Sequence, residues 1–211
     1  PLVRALDDPA IFAASPRVLL FGDERTNESL NTLTWSEGGL VVTPRSQRSC
    51  TNELRHTAFA IGGAMLVRRS EFLAVGGFDP LFAPFYWEDV ELCIAAWRTG
   101  RRVVEVGASR VEHHHRGTIA GCVPRELVEA AIERNRHLLA WKHVSDPDEA
   151  RAIVQTILRD IVGATATDRR AQLVHLCLAF EQLDALARAR AAIPASALSL
   201  AECLGAIDVG P

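Results

Sequence analysis

Four groups of side chains in this sequence have the type and spacing that chemistry needs. Glu88 and Asp89 are adjacent carboxylates that follow an aromatic-rich turn, Phe82-Ala83-Pro84-Phe85-Tyr86-Trp87, and open an amphipathic pattern. Acidic residues are favoured in a first helical turn, where free amides and the helix dipole stabilise each by about 0.3–1 kcal/mol. Capping alone therefore accounts for the pair. A carboxylate fixed beside aromatics that exclude water can also accept a proton from a hydroxyl nucleophile. The helix terminus is expected to lower its pKa, giving a weak base that is ionised at neutral pH. His113-His114-His115 close a strand-like stretch. Alternate residues of an extended chain share a face, so His113 and His115 offer two imidazoles in one direction, toward a metal or a phosphate, and His114 points the other way. Arg116 adds a permanent cation suited to holding a diphosphate. A surface loop would carry the same residues. Gly62-Gly63 interrupts an apolar run, residues 57–67, and marks either a tight bend or a place where a ligand or another backbone comes close. Glu133-Arg134-Asn135-Arg136, with Trp141-Lys142, reads as a solvated helix face.

The elements that position these residues follow from periodicity. Residues 2–8 read as a helix end stopped by Pro9, and 17–21 as a short buried strand. From Gly22 to about Arg55 the chain is polar and rich in Gly, Ser, Thr and Asn, which predicts a long loop interrupted by a strand at 40–42. Ser70 begins a short helix that Gly76-Gly77 ends. Val90, Cys93, Ile94 and Trp97 fall at i, i+3, i+4 and i+7, so 88–99 is a helix with one core face and Gly100 as its stop. Strands are expected at 102–106 and 109–112, and a helix from Pro124 to about Lys142. Beyond Asp146-Pro147 only Ala- and Leu-rich helical patterns remain, at 150–162, 168–192 and 195–206.

Composition narrows the classes. Of 211 residues, 48% are apolar and the net charge is −3, which is ordinary for a globular α/β protein and gives no concentrated basic face for nucleic acid. No apolar run reaches the length of a membrane span; the run ending at Val67 meets Arg68 and Arg69. The five cysteines, at 50, 93, 122, 177 and 203, form no C-x-x-C pair, which argues against a disulfide framework and for a reducing compartment. The chain starts at Pro1 and its only methionine is Met65, so a fragment of a longer protein is expected.

Taken in order, Gly62-Gly63-Ala64-Met65-Leu66-Val67-Arg68-Arg69, Val75-Gly76-Gly77-Phe78-Asp79, Trp87-Glu88-Asp89-Val90-Glu91-Leu92-Cys93, the histidine triplet with Gly117-Thr118, and Glu133-Arg134-Asn135-Arg136 with Trp141-Lys142 resemble the C-terminal half of a family 2 glycosyltransferase, most closely its rhamnosyltransferase-like branch. The resemblance implies an α/β fold. Residues 1–145 would be the acceptor and catalytic-base half of a GT-A domain, without the N-terminal nucleotide-binding half, and 146–211 a helical extension. It implies inverting transfer of a sugar from a nucleotide-sugar donor, a UDP- or dTDP-sugar, to a saccharide or lipid-linked acceptor in cell-surface polysaccharide synthesis. The setting would be cytoplasmic, at the inner face of the membrane. Carried over residue by residue, Asp89 would be the general base and Glu88 its partner. Gly62, Gly63, Trp87 and Arg116 would lie against donor or acceptor, and His113 or His115 would contact the divalent metal, Mn2+ or Mg2+. The family's Asp-x-Asp metal motif is expected upstream of Pro1, since Asp7-Asp8 is merely adjacent, and this piece alone is then expected to be inactive. Two other classes stay open: a zinc-dependent hydrolase using His113 and His115 with Glu112 or Cys122, and a saccharide-binding module without turnover.

Overall fold

The protein's structure, a computed structural model, describes residues 1–36, 39–45, 53–114 and 119–208. A short helix α1 (Leu2–Ala5) leads into β1 (Ile11–Leu20), and β2 (Asp23–Asn27), β3 (Asn31–Ser36), β4 (Gly39–Pro44) and β5 (Leu54–His56) follow. A 3-10 turn at Gly62–Ala64 precedes β6 (Leu66–Val67) and α2 (Arg69–Ala74). Another at Pro80–Phe82 precedes α3 (Glu88–Arg98) and β7 (Arg102–His113). Helices α4 (Ile119–Cys122), α5 (Arg125–His143), α6 (Pro147–Gly163), α7 (Ala166–Phe180), α8 (Leu183–Ala191) and α9 (Leu200–Asp208) complete the described chain.

The mixed sheet is ordered β2-β1-β7-β5, with β6 also pairing β1, and β3-β4 form a separate antiparallel pair. Strand β1 is parallel to β7 and antiparallel to β2 and β6. Nine of its ten residues are buried, as befits a central strand covered on both faces. Its start at Ile11 was hidden by Pro16, which a central strand rarely carries. The β1–β7 register slips between Pro16 and Arg17, so the missing proline N–H falls at an irregularity. The same slip joins the two strands expected at 102–106 and 109–112 into the single β7.

The strand expected at 40–42 lies within β4, but among the described residues of 22–55 the loop around it also holds β2, β3 and the start of β5. In β3, Asn31 and Leu33 are buried while Thr34 and Ser36 are exposed, a period-two pattern among polar residues that burial of one face rewards. The strand expected through Gly62-Gly63 is not one: residues 57–61 belong to no ladder, and the glycines form the 3-10 turn. The single helix expected over 168–192 breaks at Glu181-Gln182 into α7 and α8.

The largest of three buried apolar clusters among the described residues runs through these layers. Val90, Cys93, Ile94 and Trp97, the stripe read from the sequence, are all buried against Phe12, Leu33, Leu40, Leu138 and Leu139. Full burial of each large side chain contributes about 1.5–3 kcal/mol. Leu186, Leu200, Cys203 and Ile207 belong to the same core, and Trp141 stacks on Phe180 at 5.4 Å. The fully buried Glu105 on β7 accepts hydrogen bonds from Asn27 Nδ2 at 2.7 Å and Arg55 Nε at 3.0 Å, which compensates for burying its charge. Cys93, Cys122, Cys177 and Cys203 are free thiols.

Candidate active site

The carboxylate pair occupies the first turn of α3, and three segments hold it. From one side the Gly62 amide donates to Asp89 Oδ2 at 2.9 Å, while the Val90 amide donates to Oδ1 at 2.8 Å. Each carboxylate oxygen thus has one backbone donor and one lone-pair direction to spare. Gly62 is exposed at the rim, and a Cβ built on it would stand 3.5 Å from Asp89 Oδ2, in contact with the carboxylate without a clash. A Cβ at Gly63 would meet only open space. Close approach therefore concerns Gly62 alone.

From the second side comes the turn before α3. Tyr86 and Trp87 both have positive φ, 70° and 74°, a conformation that costs a non-glycine residue about 1–3 kcal/mol. What stabilises it is the fully buried Asn135 of α5. Its Nδ2 donates toward the carbonyls of Phe82 at 2.7 Å, Tyr86 at 2.8 Å and Phe85 at 3.1 Å. Arg134 donates to Asn135 Oδ1 from Nε at 2.9 Å and from Nη2 at 2.8 Å, and also to the Ala83 carbonyl. Within the stretch 133–136, expected to be a solvated charged face, Arg134 and Asn135 thus form a clamp on the turn that aims Glu88 and Asp89, while Glu133 and Arg136 pair with each other. The signal available in the sequence was one asparagine at a core-facing helical position, three residues before Leu138 and four before Leu139.

On α3's next turn, Glu91 and Asp79 both accept from Lys142 Nζ, the latter at 2.8 Å, which ties α3 to the end of α5. Sequence reasoning placed Lys142 in a motif but did not foresee this buried pairing.

Electrostatics here run against the expectation that the helix terminus lowers the Asp89 pKa. Burial raises it, and this outweighs the amides of Gly62 and Val90, which pull it down. Glu88 is raised as well, first by burial and further by Asp89, while its own backbone amide opposes. Its Oε2 is buried without a hydrogen-bond partner. The pair is thus made of stronger bases than free carboxylates.

His113 is the last residue of β7, paired with Leu20 of β1, and its Nδ1 lies 2.6 Å from Glu28 Oε2. His114 lies beyond the strand and is exposed, its ring 5.7 Å from that of Phe21. His115, Arg116, Gly117 and Thr118 lie outside the described residues. Strand β6 is antiparallel to β1, so the chain comes from Gly62 into β6 from the side of the carboxyl ends of β1 and β7. Gly62, Asp89 and Glu88 form one site directly; His113 lies at the carboxyl end of the parallel β1–β7 pair, where open α/β sheets bind ligands.

The fit to a divalent cation is partial. An imidazole braced by a carboxylate is how a ligating histidine is usually oriented. However, no group of three His, Cys, Asp or Glu side chains close enough to hold a metal occurs among the described residues. Glu112 and Cys122 are both exposed. One Asp-x-Asp spacing does occur in the chain, Asp146-Pro147-Asp148, well after the site. There Asp146 caps α6, accepting from the Asp148 amide at 2.7 Å. The described residues therefore do not complete a metal site.

No protein-family model and no curated relative matches the chain. Among solved structures it is similar to GalNAc-T7 crystallised with UDP, GalNAc and Mn2+, at 18% identity and a TM-score of 0.50 over 86% of this chain. The fold is that of a GT-A domain in part. The chain spans 36% of that protein, about a third of its length. Asp89 and Glu88 sit in the first turn of α3, beside the glycine turn. Among the described residues no helix is long and apolar enough to cross a membrane.

Proposed function

We propose that this chain is the acceptor half of an inverting, metal-dependent glycosyltransferase. The observation that carries the reading is the Asp89 carboxylate, gripped by the Gly62 and Val90 amides and made more basic by burial, on a GT-A scaffold. An acceptor hydroxyl bound at the open lone pair of Asp89 gives up its proton there as its oxygen bonds to the anomeric carbon. The bond from that carbon to the nucleoside diphosphate breaks on the opposite face, and the diphosphate leaves with the electron pair, so the configuration inverts. Glu88 is the neighbour of Asp89 in the acidic pair, its own pKa raised by burial and by Asp89. A divalent metal, Mn2+ or Mg2+, would neutralise the leaving diphosphate. His113, with His115 and Arg116 that follow it in the sequence, is the candidate contact.

The finer assignment rests on the motif order in the sequence: a family 2, rhamnosyltransferase-like enzyme using a UDP- or dTDP-sugar. The acceptor would be a saccharide or lipid-linked glycan of the cell surface, met in the cytoplasm at the membrane's inner face. Residues 1–145 would carry the chemistry and 146–211 the extension.

The test is Asp89→Asn in the full-length gene product. Sugar transfer should fall by about 10²–10⁴-fold, the usual contribution of a general base, with donor affinity within about twofold of wild type. Loss of donor binding together with transfer would assign Asp89 a structural role. Saccharide binding without nucleotide or turnover would favour a binding module.

A further inference from the structure

Helix α7 is apolar on two opposite sides. On the inner side Leu176 and Ala179 are buried, the latter in the largest buried cluster. On the outer side Leu173 is 44% exposed, Val174 is 47% exposed and Cys177 is an exposed free thiol. These three and Arg170 line an open groove whose walls come from α7 alone. A helix with one face in water ordinarily carries polar residues there, and apolar residues on both sides mark a helix that is covered on both.

The charges at the two ends of the outer face decide what covers it. Arg170, Val174, Cys177 and Glu181 stand at i, i+4, i+7 and i+11, a single line along the helix. Glu181 continues that line, because as the C-cap it keeps helical dihedrals, φ −60° and ψ −19°, and its amide donates to the Cys177 carbonyl at 3.0 Å. The line is about 16 Å long, with a cation at one end and an anion at the other. Neither the Arg170 nor the Glu181 side chain forms a hydrogen bond or ion pair among the described residues. Arg169, next to Arg170, does: its Nε donates to the Ile161 carbonyl and its Nη2 to the Ala164 carbonyl, each at 2.9 Å, which holds the α6–α7 turn.

This pattern is complementary to its own reverse. A second α7 laid antiparallel, with a two-fold axis crossing between residues 175 and 176, sets Arg170 against Glu181 of the other copy and Val174 against Cys177. Each pairing then occurs twice, as an isologous contact requires. A parallel copy would set like charges together at both ends. A lipid surface fits less well, since Asp168, Arg169, Arg170 and Glu181 balance in charge, whereas helices that lie on anionic lipid are rich in Lys and Arg.

We infer that the outer face of α7 joins two copies of this chain in an antiparallel two-fold dimer, with Leu173, Val174 and Cys177 at its centre and two Arg170–Glu181 ion pairs at its ends. Three helical turns make a small contact, so the dimer forms and dissociates with concentration. The inference is independent of the transfer chemistry, and its test needs no substrate.

The test is sedimentation velocity of the full chain under reducing conditions, from about 1 μM to about 1 mM. The wild type should pass from monomer to dimer within that range. Val174→Asp should stay monomeric throughout at unchanged melting temperature, since the residue is half-exposed in the monomer. Arg170→Glu and Glu181→Arg each place two like-charged pairs across the axis and should each weaken association at least about tenfold, while the double variant carrying both should return to within about threefold of wild type. A wild type that stays monomeric at the highest concentration, a dimer that survives Val174→Asp, or a double variant no tighter than the single ones would each overturn the proposal. Retention on phosphatidylglycerol vesicles without self-association would overturn it in favour of a lipid surface.

Discussion

Replacing Asn135 by Ala tests how the catalytic turn is held. The carboxamide has two N–H groups and faces three carbonyls, those of Phe82, Phe85 and Tyr86. Its removal leaves at least two of them without a donor, at about 1–3 kcal/mol for each buried group left unpaired. Against this, the turn can relax. Release of the left-handed conformation at one of the two, Tyr86 or Trp87, recovers about 1–3 kcal/mol. The net loss is therefore about 1–3 kcal/mol, and it is local, because opening residues 83–88 leaves the β1–β7 pairing intact. Hydrogen exchange of the 85–90 amides should quicken by about tenfold for each 1.4 kcal/mol lost, while β7 amides report only the smaller change in global stability. Asn135→Asp should be worse at neutral pH, since it sets an anionic acceptor against three carbonyl oxygens. In the full-length gene product both variants should lower kcat more than they raise KM, because the carboxylates are misaimed rather than removed. An Asn135→Asp variant with wild-type stability and unchanged exchange over 85–90 would refute the clamp.

Three further outcomes follow from the same structure. The folded state holds the Glu88 pKa above its usual value, so folding favours the protonated acid, and stability falls as pH rises from the unfolded value through the raised one. Glu88→Gln should then be more stable than wild type at pH 7, with the difference vanishing below about pH 4, as read by urea midpoints. His137 is pushed down to about 4, first by burial and then by Arg136, so its neutral form is favoured in the fold. Its contribution is present above pH 6.5 and is lost as pH falls toward 4, by about 3 kcal/mol at most, and His137→Phe, which preserves the ring beside Trp141, should lose less stability than wild type over that window. Gly62→Ala should leave the melting temperature within a few degrees of wild type, because its methyl finds ordinary contacts, yet reduce transfer by covering Asp89 Oδ2; full activity would separate Gly62 from the acceptor face.

How much of this was legible in the sequence depended on where each residue's determinants lie. Helix α3 was readable because its stripe, Val90, Cys93, Ile94 and Trp97, is a local pattern that needs only one apolar surface to pack on. Strand β3, the partner of the strand expected at 40–42, was missed because Asn31 and Thr32 are polar. Asn31 is buried by its own amide bonding to Thr57 Oγ1 at 3.0 Å, a partner twenty-six residues away that no window contains. The carboxylate pair could be found from motif order, but the direction of its pKa could not. The helix terminus is a local property, whereas the burial that outweighs it arises from the arrival of the Gly62 turn and the packing of the 82–87 turn beneath Asn135. The misreading of 133–136 has the same origin. Arg134 and Arg136 look alike in the sequence, yet Arg134 supports Asn135 and the Ala83 carbonyl while Arg136 pairs with Glu133. Only the arrival of a second element decides which charge is solvent-facing and which is structural. A site made at the meeting of a glycine turn, a helix start and a distant helix can thus be named from a chain's motifs, but its basicity and its rigidity belong to the contacts between them.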